Sequence, residues 1–194
     1  MLDLTRVSAP SPLLIESLRP LRRHEYDRLV ELGAFDDERL ELLAGVLVTM
    51  SPQGAEHVEV TACLMERLVL ALAGRARVRP QLPLSLSDHS EPEPDLAVVQ
   101  LGDYSHVHPA SALLIVEVAD ASLRMDRDLK AELYAAAGIP EYWLVDLVGR
   151  VVHVYRAAVG RRYTEVSSHA PGATLRPTAF PDVTIAVRSL IRTR

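Results

Sequence analysis

Residues 113–146, LLIVEVADASLRMDRDLKAELYAAAGIPEYWLVD, read as strand, helix, strand, and the rest of the chain is organised around them. The first strand is an apolar run interrupted by Glu117. An acid in that setting has to be paired, bound to a metal or neutralised, because burying a bare carboxylate is costly. The helix that follows carries Lys130, the single lysine of the 194-residue chain; the other 20 of its 21 basic residues are arginine. A chain that uses arginine for ordinary charge and keeps one lysine beside a buried acid calls for a compact, reorientable ammonium, which a guanidinium fork does not imitate.

Length and composition set the bounds. A chain of this size fits one domain, and 48% hydrophobic residues can fill a sizeable core. The division expected is an N-terminal arm over residues 1–20 and one domain over 21–194. No apolar run approaches the length of a membrane span, and the N-terminus MLDLTRVSAPSPLL has no signal-peptide pattern, so the expected location is cytoplasmic. Cys63 is alone, which excludes an intrachain disulfide and reads as a small buried thiol. A net charge of −5 argues against a broad basic surface for wrapping nucleic acid but leaves room for a local phosphate-binding cleft.

Along the chain, HEYDRLVELG reads as a short helix closed by Gly33, and RLELLAGVLVTM as a hairpin turning at Ala44 and Gly45. From Gly54 to Gly74, Val58, Ala62, Met65, Leu68 and Leu72 recur at helical spacing. VRPQLPLSLS and PDLAVVQ then read as strands, with a loop over residues 102–112. After the central segment, RVVHVYRA, RRYTEVSS and DVTIAVRSL supply further strands. In the helix RMDRDLKAELYAAAG, Asp126, Lys130 and Tyr134 share one face, and Leu129, Leu133 and Ala136 form an adjacent apolar stripe.

The chemistry follows from residue types. Asp95 heads the strand DLAVV, and Glu117 lies 22 positions later in LLIVEVA. On neighbouring strands the two carboxylates would converge on one hard divalent cation, Mg²⁺ or Mn²⁺, for which oxygen ligands are the natural choice. Such an ion polarises a phosphoryl oxygen and lowers the pKa of a bound water.

EPDLAVV, LIVEVADAS, the DLKAELYAAAGIPEYWLVD run and the upstream LELLAGVLVTMSP with a following histidine together resemble the Uma2-like (DUF820) restriction endonuclease family of the PD-(D/E)XK nuclease superfamily, over about residues 24 to 190. The resemblance implies an α/β (α+β) fold of restriction-endonuclease type: a mixed central β-sheet flanked by helices, with extra N- and C-terminal strands. By the same resemblance Asp95 and Glu117 are metal ligands and Lys130 is the catalytic lysine. The chain departs from the simplest superfamily pattern, because two residues after Glu117 stands Ala119 rather than lysine, so the lysine arrives from the next helix. A second departure is ADAS after Val118, where relatives tend to have a Ser-Pro-Ser-like turn.

Glu41 and His57 match polar positions of the family pattern as supporting residues. Glu41 either faces the cleft as a further metal-site acid or faces solvent on its hairpin. His57 either binds substrate phosphate or orients Glu41, or else makes a local bond in the first turn of its helix. Tyr134 is a supporting residue on the lysine's face and, with Trp143, packs the helix on the sheet. His106 and His108 read as a solvated loop rather than a zinc grip, and Arg161 and Arg162 as a hairpin edge. Asp126 and Lys130 have an ordinary reading too, an exposed i,i+4 pair.

The reading these features support is a metal-dependent endonuclease hydrolysing DNA, with no membrane partner and with a homodimer left open. Asp95 and Glu117 hold Mg²⁺, aided by Glu41 and a backbone carbonyl near Val118, and Lys130 positions or deprotonates the water. Two alternatives stand beside it: a non-catalytic binding module retaining the nuclease fold, and a hydrolase of a smaller phosphoester, which the acidic net charge favours slightly.

Overall fold

A computed structural model describes residues 18–120 and 122–191. The arm expected over residues 1–20 lies outside them except for 18–20, and Ala121 of the ADAS turn is outside as well. Helix α1, Arg23–Glu31, buries Tyr26, whose hydroxyl donates to the Leu40 carbonyl at 2.9 Å. The chain leaves that helix through Gly33 at φ +71°, as the glycine's position predicts. A hairpin follows, β1 (Leu40–Leu43) and β2 (Val46–Thr49), with Glu41 opposite Val48. Its turn residues Ala44 and Gly45 both have positive φ, the geometry that matches strand twist in a two-residue turn. All four β1 residues are buried, and Leu42 exchanges backbone hydrogen bonds with Glu91, which ties the hairpin to the loop ahead of β4.

Helix α2, Ala55–Leu72, buries His57, Val60, Thr61, Leu64, Leu68 and Leu72, a face of threes and fours. Val58 from the expected stripe lies outside this face and is exposed. Six strands then form the main sheet in order β3 (Arg77–Pro80), β4 (Leu96–Val99), β5 (Leu114–Ala119), β6 (Glu141–Asp146), β7 (Val151–Val159) and β8 (Arg162–His169). Every neighbouring pair is antiparallel except β5 and β6, which are parallel and joined by a helical crossover, α3. Strands β5 and β6 are buried along their whole length, which explains their continuous apolar runs. One face of the sheet packs Leu96, Val98, Val116, Val118 and Trp143 against α2 and the C-terminal segment. The other packs Ala97, Ile115, Tyr142 and Leu144 against Tyr134 and Ala131 of α3.

Three expectations are corrected. The strand predicted over VRPQLPLSLS ends at Pro80: two prolines remove ladder donors, and Gln81 at φ +47° turns the chain away. DVTIAVRSL contributes only β10, Ile185–Ala186, paired with β9 (Thr174–Leu175), before the 3-10 turn Val187–Ser189. Helix α3 runs through Leu123–Met125, a π-helical stretch Asp126–Lys130 and Ala131–Ala136. Its expected apolar stripe is not the buried face: Leu129 and Leu133 are half-buried and Ala136 is exposed, whereas Asp126, Lys130, Ala131, Tyr134 and Ala135 point inward. Asp126, Lys130 and Tyr134 keep the shared face that their spacing predicts, and this inward face is anchored by polar contacts rather than by leucines.

Candidate functional site

Strand β4 runs antiparallel to β5 with Leu96 opposite Val116, so Asp95, one residue before β4, arrives beside Glu117. Two backbone bonds fix the arrangement. The Asp95 N–H donates to Glu117 Oε2 at 3.2 Å, and the Val118 N–H donates to Asp95 Oδ2 at 2.8 Å. Both carboxylates are thereby oriented by the strands that carry them, which is more precise than support from a loop.

Helix α3 brings Lys130 to the same place. Its Nζ donates to Glu117 Oε1 at 3.0 Å and lies 3.1 Å from Glu41 Oε1 and 3.8 Å from Asp126 Oδ1. The residue is only 5% exposed, so the surface-pair reading of Asp126 and Lys130 is excluded. Tyr134, one turn further on, donates its hydroxyl to Glu117 Oε1 at 2.6 Å, so it contacts the acid directly besides packing the helix. From the hairpin, Glu41 faces inward rather than toward solvent, and its Oε2 accepts the Glu93 N–H at 3.2 Å. His57 extends from the first turn of α2 to Asp95, Nε2 to Oδ2 at 3.1 Å, so the acid it orients is Asp95 and not Glu41, the acid named in one of the readings open to it. Glu41, His57, Asp95, Glu117, Asp126 and Lys130 line a cleft with a volume of about 680 Å³.

Two contributors escaped the sequence reading. Gln53, in the segment linking the hairpin to α2, donates to Asp95 Oδ1 at 3.3 Å, and nothing in its sequence context marks it. Asp126 was visible only as a neighbour of Lys130 at i−4. It is buried, with Oδ2 accepting from Ser122 Oγ at 2.5 Å.

Four acids and one ammonium share this space, and burial dominates the electrostatics. Desolvation, opposed by the Lys130 charge and reinforced by Asp126, Asp95 and Glu41, pushes Glu117 up to about 8. Asp126 is also raised, first by burial. For Lys130 burial acts downward, but Glu117, Glu41 and Asp126 more than offset it and hold the pKa above its ordinary value. Lys130 is therefore an ammonium among these carboxylates. His57 follows the same pattern: burial lowers it, and the hydrogen bond and charge of Asp95 raise it further than burial lowers it.

Oxygen donors in a negatively charged, partly open cleft suit a hard divalent cation. Among the described residues no three His, Cys, Asp or Glu side chains are disposed as a ready-made metal cage. The Lys130 ammonium stands between Glu41 and Glu117. The pair Asp95 and Glu117 still fits Mg²⁺, which is commonly held by one or two carboxylates and keeps several waters.

Elsewhere, His106 and His108 are exposed in their loop, and Arg161 pairs with Glu132 at 2.5 Å. Cys63 is half-buried, its Sγ 3.6 Å from the Ser189 carbonyl, rather than fully enclosed. Trp143 is fully buried and donates to Glu141 at 2.8 Å, far from a substrate-facing position.

The mixed six-stranded sheet with its helices has the fold of a solved protein, "a putative nuclease belonging to DUF820" from Anabaena variabilis ATCC 29413, with a TM-score of 0.73 and 17% identity over 88% of this chain and 97% of that one. At that identity the likeness shows the fold alone. The model of the Uma2 family, described as "Putative restriction endonuclease", matches residues 23–188, and the chain belongs to that family. No curated protein matches the chain.

Proposed function

We propose that this protein is a metal-dependent endonuclease that hydrolyses DNA phosphodiester bonds. The observation that carries the reading is the convergence of Asp95 and Glu117, 22 residues apart in sequence, on adjacent strands of one cleft with Lys130 donating between Glu117 and Glu41. The family's nuclease description supports it.

Asp95 and Glu117 would hold the Mg²⁺ or Mn²⁺, which supplies Lewis-acid activation of the phosphate and a more acidic water. The protein's own residues prepare that site. His57 and Gln53 hold the two oxygens of Asp95, and Tyr134 with Lys130 holds Glu117 Oε1, which leaves Oε2 facing Asp95. Lys130, kept protonated by its acids, is suited to orient the water and to stabilise charge developing on the phosphate. It is poorly suited to remove a proton in this arrangement. Glu41 helps to keep Lys130 charged, and it would be available to hold a metal only without that ammonium.

The test is a Mg²⁺ and Mn²⁺ titration with plasmid and single-stranded substrates beside an Asp95→Ala protein. Cleavage that needs the metal and disappears in Asp95→Ala is expected. Equal cleavage by both proteins would trace the activity to a contaminant, and no cleavage by the wild type at any metal concentration would remove the endonuclease reading.

A further inference from the structure

Outside the cleft, one buried cation has no counterpart. Arg79, on edge strand β3, is 8% exposed, and its Nε is fully enclosed without a hydrogen-bond partner. Among the described residues it meets no carboxylate. The half-buried Arg156 is placed differently: it binds Glu141 through Nε and Nη2 at 2.9 and 2.6 Å. Arg79 instead lies over the ring of Tyr104, 5.5 Å from its centroid, and Arg77 lies over the same ring at 5.7 Å. The ring is itself held, because the Tyr104 hydroxyl donates to the Gln100 carbonyl at 3.0 Å. Asp103, the acid nearest in sequence, is engaged by the N–H and Oγ of Ser105 at 2.9 and 2.5 Å.

Position matters as much as pairing. Arg79 is opposite Ala97 and Arg77 opposite Val99, so both arginines stand on the face shared by those residues, the α3 side of the sheet. Glu117 alternates with Ile115 and Ala119 onto that face. Asp95 is two residues before Ala97 on the strand next to β3. The two arginines therefore stand about 6–7 Å apart along the edge strand, with Arg79 the nearer to the end of the sheet at which Asp95 lies. A guanidinium stacked on an aromatic face keeps its N–H edges for a planar or tetrahedral oxyanion. Of these two adjacent positive side chains, Arg77 has only the charge of Asp103 within reach and Arg79 pairs with no carboxylate among the described residues, which calls for a ligand with negative charges in sequence.

We propose that Arg79, Arg77 and Tyr104 form a phosphate-binding subsite on β3 that holds the sugar–phosphate backbone of the nucleic acid beside the cleft, an inference that rests on the nuclease reading for the identity of its ligand. Burial, and then the charge of Arg77, hold the Arg79 guanidinium below its ordinary pKa, which marks the cost that a bound phosphate would offset.

The experiment measures melting temperature in EDTA against inorganic phosphate at constant ionic strength, for the wild type, Arg79→Met, Arg77→Gln and the distant Arg188→Gln. Phosphate is expected to raise the melting temperature of the wild type and Arg188→Gln saturably, to act more weakly on Arg77→Gln, and to have no effect on Arg79→Met. Without phosphate, Arg79→Met, which keeps the apolar stem, is expected to melt at or above the wild-type temperature, whereas a purely structural arginine would melt lower when removed. An equal phosphate response in the wild type and Arg79→Met overturns the subsite; should Arg79→Met not fold, an equal response in the wild type and Arg77→Gln does so. A second arm measures binding of a DNA duplex in EDTA, where Arg79→Met is expected to weaken affinity roughly tenfold and to reduce the slope of log K against log salt by about 1. Loss of the phosphate response in Arg79→Met together with no DNA binding by the wild type would keep the anion site and overturn its nucleic-acid ligand.

Discussion

Glu117 and Glu141 are both buried acids on adjacent parallel strands, and they are handled in opposite ways. Glu141 opens β6 on the α2 side of the sheet, the side to which Trp143, two residues on, also points. Its carboxylate receives Arg156 through two nitrogens, the indole of Trp143 and the Thr178 N–H at 2.5 Å. One acid is matched by one guanidinium and two further donors. On the opposite face, Glu117 shares a single ammonium with Glu41 and Asp126, and Asp95 lies against it. The first arrangement is a closed account of charge that ties β6 to β7 and to the C-terminal segment. The second carries surplus negative charge, which a fold concerned only with stability would not retain.

The largest effect expected is at the closed pair. Glu141→Ala leaves Arg156 buried in part without its acid and should destabilise the protein by about 3–5 kcal/mol in urea unfolding. A loss below about 1 kcal/mol would show that the contrast between the two acids has been overstated.

Next comes the lysine. Lys130→Arg keeps the charge but replaces a compact ammonium by a larger planar group, so cleavage should fall by about 100-fold or more, while stabilisation by Mn²⁺ stays near the wild-type value. Wild-type cleavage by the purified variant would remove Lys130 from the chemistry.

A smaller effect distinguishes the surplus acid by pH. Glu117 has an ordinary pKa of 4.5 that is raised to about 8 in the fold, so between those values the folded state binds a proton that the unfolded state has lost. Its contribution to stability is full below about 4.5, declines as pH rises, and is gone above about 8. In EDTA, the difference between the wild type and Glu117→Gln should therefore change by up to roughly 1 kcal/mol per pH unit across that window, with Glu117→Gln the more stable at pH 8. Parallel pH profiles for the two proteins would contradict the raised pKa. Mn²⁺ should raise the melting temperature of the wild type and leave Glu117→Gln unchanged.

The smallest effect is at Tyr134. Tyr134→Phe removes the 2.6 Å bond to Glu117 Oε1 but leaves Lys130 on the same oxygen, so stability should change by about 1–2 kcal/mol and cleavage by less than in Lys130→Arg. A larger loss of cleavage than in Lys130→Arg would make the tyrosine, not the lysine, the principal partner of Glu117.

Much of this arrangement was legible in the chain. Glu117 stood out because an acid interrupts an apolar run, Lys130 because it has no second lysine for company, and the hairpin because Ala44 and Gly45 sit between two short apolar segments. The illegible parts share a cause. Gln53 reaches Asp95 across 42 residues, and His57 turned out to hold Asp95 rather than Glu41; such pairings depend on how α2 and the hairpin are laid over the sheet. On α3 the face of Asp126, Lys130 and Tyr134 was legible from its spacing of four, whereas the stripe Leu129, Leu133 and Ala136 was not the buried one, because burial is set by what the sheet offers opposite each face. DVTIAVRSL alternates like a strand, yet only Ile185 and Ala186 find a partner, because a strand exists only where a neighbour accepts its hydrogen bonds.

By itself, then, the sequence determined which residue types are present and the local periods that place them: acids at the ends and middle of apolar strands, one lysine about two turns into the following helix, and a strand, helix, strand order over residues 113–146. Only the tertiary structure decided which acid the lysine serves, that three carboxylates compete for it, and that Arg79 is enclosed without an acid. The physical reason is that hydropathy and helical period are local properties of the chain, whereas desolvation and charge pairing depend on distances between residues that only packing brings together.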